Sequence, residues 1–132
     1  MADYSWELRN GGAPWRPRDG AGLLSFGGSL YLLGGWRMRN DVPSGPGGLL
    51  DDGFTNHDGV KAGWTVDSEV WRSDDDGRAW ACVMPRAPWV GRHTFGHVVH
   101  AGKMWIVGGD IYSDTNDVWC SSGAHDGTEC KC

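Results

Sequence analysis

The sequence predicts an all-β protein made of repeated antiparallel units of four short strands, and three observations carry that prediction. One stretch is written twice: Ala13-Pro14-Trp15 through Gly34-Gly35 recurs as Ala87-Pro88-Trp89 through Gly108-Gly109, 74 residues later (87 − 13). Within it Trp15 answers Trp89, Arg18 answers Arg92, Gly22 answers Gly96, Gly28 answers Gly102 and Tyr31 answers Trp105. Self-similarity at a fixed interval is the signature of a fold assembled from copies of one supersecondary unit. Short apolar runs also alternate with glycine-containing pairs, the pattern of strands joined by tight turns. Finally, 22 Gly and nine Trp among 132 residues describe a turn-rich chain whose core is built from large rings.

The elements follow in order. Residues 21–26 and 29–33 are apolar runs split by Gly27-Gly28, which reads as a hairpin between buried strands. Residues 37–66 form an inserted loop. Gly35 to Trp71 spans 36 positions and Gly109 to Trp119 spans 10, so the first unit carries 26 extra residues (36 − 10). The run Pro43-Ser44-Gly45-Pro46-Gly47-Gly48 cannot sustain helix or central strand, and loops of this length are either functional or disordered. A third strand is expected to end at Val70-Trp71, and a fourth to run from Arg78 to Val83 after an Asp76-Gly77 turn. In the second copy, residues 94–100 and 103–107 flank Ala101-Gly102, with Val98, Val99, Ile106 and Val107 supplying β-branched side chains, and a third strand ends at Val118-Trp119. Trp6 stands 74 residues before Trp80. A strand around it is expected to complete the unit begun by 94–119, within the chain or from a neighbour. The chain thus reads as one segment of about two units, 13–83 and 87–132.

Pro-Trp-x-x-Arg, a hairpin ending in Gly-Gly, and an acidic residue before Val-Trp together resemble the kelch repeat of bacterial and algal type, over nearly the whole chain. The residues are Pro14, Trp15, Arg18, Gly34, Gly35 and Trp71 in one copy and Pro88, Trp89, Arg92, Gly108, Gly109 and Trp119 in the other, with Glu69 standing where Asp is more usual. The resemblance implies four-stranded blades of a β-propeller and no particular activity, since such folds host many functions. Ser73, Asp75, Gly77 and Trp80 also fit the Ser-x-Asp-x-Gly-x-x-Trp box of sialidases, which implies a structural turn with Trp80 as a peg. Sialidase chemistry needs an arginine cluster and a Tyr/Glu pair, and a copper-radical oxidase of the galactose-oxidase sort needs two Tyr and two His. Neither constellation can be assigned. Arg18 and Arg92 are expected to bridge blades by hydrogen bonds to backbone carbonyls.

A propeller closes with roughly four to eight blades, because each blade covers its faces only against two neighbours. Two blades leave apolar flanks, and exposed patches of that size mark interfaces. A protein partner, further copies of this chain, or the remainder of a longer propeller are therefore expected to cover them.

A net charge of −5 argues against nucleic-acid binding, and no apolar run approaches the length of a spanning helix, so no membrane insertion is expected. No secretory leader is written at the N-terminus, and the compartment is unassigned. Cys120 and Cys130 flank a short segment and are candidates for a disulfide; with His125 and Cys132 they form a loose set whose spacing does not match zinc fingers; an unpaired tail is the third reading. Asp51, Asp52, Asn56 and Asp58 fit a calcium loop poorly. His93 is expected to pair with a neighbouring blade and His100 to sit at an exposed turn. No cofactor or metal is expected, and no motif of an activated nucleophile appears.

The functional expectation is a non-catalytic protein-binding or assembly module. It would use its open flanks and the 37–66 loop, with Trp36, Phe54 and Trp64 as aromatic anchors. The alternative is part of a propeller enzyme or carbohydrate-binding protein, sialidase-like or galactose-oxidase-like, whose catalytic groups lie outside this chain.

Overall fold

The computed structural model describes residues 4–38, 60–61, 64–111 and 113–122. It is all-β and antiparallel. The strands are β1 (Gly22–Phe26), β2 (Ser29–Leu33), β3 (Trp36–Met38), β4 (Val60–Lys61), β5 (Trp64–Val66), β6 (Val70–Ser73), β7 (Ala81–Met84), β8 (Gly96–His100), β9 (Lys103–Asp110) and β10 (Asp114–Cys120). They form a four-stranded sheet in the order β1-β2-β6-β7, a three-stranded sheet β10-β9-β8 and a small sheet β3-β5-β4.

Both hairpins close on two residues in the left-handed region: φ is 58° and 81° at Gly27 and Gly28, and 50° and 70° at Ala101 and Gly102. Two successive positive φ values make the turn twist with its strands, which fixes register from the loop outward. Phe26 faces Ser29 and Gly22 faces Leu33 in the first hairpin, as His100 faces Lys103 and Gly96 faces Val107 in the second.

The two larger sheets lie face against face. Leu24, Leu33 and Val70 of the first meet Ile106 of the second, with Ala87, Trp89 and Phe95 from the connecting segment filling the gap and Tyr31, Met104 and Trp119 at its margin. Gly22 permits a close approach, because a Cβ there would lie 2.7 Å from the Phe95 ring. The stacking order follows the repeat. Residues 24, 31 and 33 correspond to 98, 105 and 107 (each plus 74), and 70 corresponds to 118 (plus 48). In the first sheet these positions face the core; in the second, Val98, Trp105, Val107 and Val118 share the opposite, outer face by strand alternation and register. The valines there are 52%, 45% and 57% exposed.

Four expectations are corrected. Residues 37–66 are not simply loop: β3, β5 and β4 pair as a small sheet, because Trp64-Thr65-Val66 carries strand-forming side chains that find a partner edge in 36–38. The third strand of the first unit begins at Val70 and continues to Ser73. The fourth strand begins at Ala81, not Arg78, because the turn through 75–79 holds the chain and Trp80 Nε1 donates back to the Gly77 carbonyl at 3.1 Å. Residues 4–10 form no strand within this chain. Arg9 and Asn10 instead donate to the carbonyls of Asp76 and Arg78, at 3.3 and 2.8 Å, on the turn of the first sheet. The Pro43–Gly48 run and the residues from 123 onward lie outside the described residues.

Candidate functional site

The repeat positions two buried arginines identically. Arg18 donates to the carbonyls of Arg16 and Gly34 and to Glu69 Oε2 at 2.9 Å. Arg92 donates to the carbonyls of Val90 and Gly108, to Thr115 Oγ1, and to both oxygens of Asp117 at 2.5 and 2.8 Å. Each carboxylate also accepts the indole N–H two residues on, from Trp71 at 2.9 Å and from Trp119 at 2.7 Å. Hydrogen bonding from Arg92 outweighs the cost of desolvation and holds the Asp117 carboxyl well below the usual carboxylate range. At Glu69, partial burial pushes the carboxyl up, but the bonds from Trp71 and Arg18 and the charge of Arg18 and Arg37 leave it below its ordinary value. Arg92 also joins the sheets: its carbonyl accepts from Gly35 N–H at 2.9 Å, and its own N–H donates to the Asp67 carbonyl at 3.2 Å.

Next to these clamps the sheets leave a cleft at the Gly-Gly ends of their hairpins. The bridges Asp19 to Trp36 and His93 to Asp110 are counterparts across the repeat (19 + 74 = 93, 36 + 74 = 110), and Thr94 N–H donates to the Gly20 carbonyl at 2.8 Å. These six residues line an open pocket of about 540 Å³. Its walls are therefore three pairs of equivalent positions that have diverged in chemistry. The Trp36 ring stacks on His93 with centroids 6.0 Å apart and planes 23° from parallel. Thr94 Oγ1 lies 2.9 Å from His93 Nδ1, and Asp110 Oδ2 lies 3.6 Å from Nε2. The second distance is too long for a hydrogen bond. What the pocket offers is an aromatic face beside carboxylates and a hydroxyl, suited to holding a small polar molecule. Thr94 is also held at φ 53°, in the left-handed region that a β-branched residue rarely adopts.

No protein-family model and no curated protein matches this chain.

The sequence-predicted residues separate into distinct places. Trp36 lines the cleft. Trp64 lies in β5 opposite Met38 and Lys61, and Phe54 lies outside the described residues. The structure does not group the three as one anchor set. Trp15 meets Trp71 and Trp80 edge-on, at 5.8 and 4.6 Å between centroids, on the outer side of the first sheet, whereas its counterpart Trp89 is buried against Phe95. Gly34, Gly35, Gly108 and Gly109 all have positive φ, and a Cβ on Gly34 would stand 2.8 Å from the Arg92 carbonyl. Ser73, 1% exposed, donates to Asp75 and accepts from Gly77 N–H, both at 2.9 Å, while Asp75 accepts from Ala79 N–H. The Ala79 and Ser73 bonds hold the Asp75 carboxyl below its usual value. Cys120 is disulfide-bonded and Cys82 is a free, exposed thiol; Cys130, His125, Cys132 and the acidic set 51–58 lie outside the described residues. Among the described residues no cluster of His, Cys, Asp and Glu is placed to hold a metal, and no helix could cross a membrane.

Sequence reasoning missed Glu69 and Asp117 as the arginine acceptors, although an acidic residue stands two before a Trp in both copies. It also missed Gly91, whose Cβ would fall 2.3 Å from the Val66 carbonyl oxygen. Pro17 holds the equivalent position in the first copy, so the repeat gave no signal there.

Proposed function

We propose that this chain is a non-catalytic assembly module: two kelch-like blades of a β-propeller that bind other protein through an open blade face. The observation that carries the reading is the outer face of the β10-β9-β8 sheet, where Val98, Val107 and Val118 stand about half exposed on adjacent strands. Single exposed valines are ordinary on a protein surface, but three in cross-strand register with Trp105 form a contiguous apolar patch. Its counterpart in the first sheet is core.

The test compares wild type with Val107→Glu, which places a carboxylate in the patch. Association with itself or with a protein from its source cell, lost in the variant, supports the reading. A folded wild type that associates with nothing, or a variant that loses nothing, overturns it. A second reading, a carbohydrate-binding or enzyme-derived blade pair, is favoured by Trp36 beside Asp19 and Asp110 in the cleft. Glycan binding abolished by Trp36→Ala and untouched by Val107→Glu would support it.

A further inference from the structure

Resting on that assembly reading, we propose that the occupant of the open face is a second copy of this chain, bound head to tail. Its β1-β2-β6-β7 sheet stacks on the β10-β9-β8 sheet of the first copy, and its residues 7–10 pair with the edge of β10 opposite β9 as a fourth strand.

The first argument is that the two outer faces are the two halves of the interface already present inside the molecule. Internally, the face bearing Leu24, Tyr31, Leu33 and Val70 meets the face bearing Met104, Ile106 and Trp119. The outer face of the second sheet carries the counterparts of the former, Val98, Trp105, Val107 and Val118. The outer face of the first sheet carries the counterparts of the latter: Leu30, Leu32 and Trp71 (each 74 or 48 less), together with Leu23, which is 54% exposed. One chain therefore presents both a plug and a socket, on opposite sides. Joining them repeats a contact that the chain demonstrably makes.

The second argument comes from strand count. The first sheet has four strands and the second three, and among the described residues β10 has no neighbour beyond β9. The strand that pairs with its counterpart β6 is β7, residues 81–84. Subtracting 74 gives Glu7, Leu8, Arg9 and Asn10, preceded by Trp6 as β7 is preceded by Trp80. In the single chain residues 4–10 join no ladder; Tyr4, Trp6 and Leu8 stand in solvent at 92%, 98% and 83% exposure, while Arg9 and Asn10 rest on the 76–78 turn. A strand edge with no neighbour among the described residues, and a segment at the offset of the missing strand that joins no ladder, together form an arrangement from which strand addition arises.

Connectivity agrees. Internally β7 passes through Trp89 into β8 on the next sheet; residues 7–10 of a bound copy would pass through Trp15 into its own β1 in the same order. Because the contact joins unlike faces, it propagates until it closes, and at two blades per chain a ring of roughly four to eight blades holds about two to four copies.

The experiment is sedimentation of the purified full chain with three variants. Val107→Glu disables the socket and Leu23→Glu the plug. Leu8→Pro removes the donated strand without touching any ladder of the single chain, and circular dichroism checks that each is folded. Wild type is expected at a discrete multiple of the chain mass. Val107→Glu and Leu23→Glu each raise the dissociation constant by about a hundredfold, the order expected when a carboxylate is buried unpaired. Mixed together they form a two-chain complex, because one intact plug and one intact socket remain. Leu8→Pro weakens association by about tenfold or more. A wild type that stays at single-chain mass, a Val107→Glu variant that still self-associates, or a mixture that does not recombine overturns the proposal. If the pure wild type is single but Val107→Glu loses a different bound protein, the second-copy proposal fails and the assembly reading stands.

Discussion

Arg92 and Asp117 form a two-pronged ion pair in which the arginine side chain is wholly buried and the carboxylate is 39% exposed. The guanidinium makes two parallel bonds to one acid while its first nitrogen also reaches Gly108 and Thr115, so a single side chain closes the end of the second sheet. Arg92→Ala is expected to cost about 3 kcal/mol in urea unfolding, since it empties a buried site and leaves the Gly108 carbonyl without its donor. Arg92→Lys should recover little of this, because an ammonium has no fork to span both oxygens. A loss below about 1 kcal/mol would show that the clamp is not a determinant of stability.

Stability should fall in acid. Asp117 and Glu69 titrate lower in the folded chain than unfolded, so the unfolded state binds more protons as pH drops. Their contribution is present above the ordinary carboxylate pKa of about 4 and is lost as pH falls through the folded values below it. Melting temperature measured against pH should be level above about pH 5 and decline below, and Asp117→Asn should flatten that decline. A melting temperature that rises below pH 4 would contradict the assignment.

Gly91→Ala and Gly27→Ala separate two uses of glycine. A Cβ on Gly91 would strike the backbone of Val66 and Asp67, at 2.3 Å from the Val66 oxygen and 3.0 Å from the Asp67 carbonyl carbon, and backbone cannot rotate away. The expected cost is about 3 kcal/mol. Gly27 has open space around it and only a φ of 58° to forbid a side chain, so its cost is about 1 kcal/mol. Equal losses would refute the close-approach reading.

Much of this division was legible beforehand and some was not. The hairpins could be read because two apolar runs around Gly27-Gly28, or around Ala101-Gly102, admit one register. The strand at Trp64-Thr65-Val66 was hidden because it is only three residues long between Gly63 and Asp67, and its stability comes from pairing with Trp36 across the insertion. Residues 7–10 stand at the β7 offset behind the Trp6/Trp80 match yet join no ladder in one chain, because an offset specifies which strand a segment can be and not where a partner edge stands. In the cleft, the equivalence of Asp19 with His93 and of Trp36 with Asp110 is countable from the repeat, but their convergence required the stacked sheets.

Thr94 occupies the left-handed position that Gly20 holds in the other copy, at φ 53° against 57°. Thr94→Gly is expected to raise thermal stability by about 1 kcal/mol by removing backbone strain, against the usual direction of a glycine substitution. A lower melting temperature would mean that the Thr94 hydroxyl contact with His93 outweighs the strain.

Iodoacetamide on the folded, unreduced protein is expected to modify Cys82 and spare Cys120, which should react only after reduction and unfolding. Peptide mapping distinguishes the two thiols, and labelling of Cys120 without reductant would disprove its cross-link.

The small β3-β5-β4 sheet leaves and rejoins the larger framework at adjacent backbone positions, with Trp36 opposite Val66 and Asp67 N–H donating to the Gly35 carbonyl at 2.8 Å. Its ends are thus fastened independently of its length, and lengthening a loop whose ends are already joined adds only about 0.6 kcal/mol per doubling. That makes the excursion a natural grafting stem: foreign peptide spliced at its tip would be displayed by the scaffold without asking the two main sheets to move.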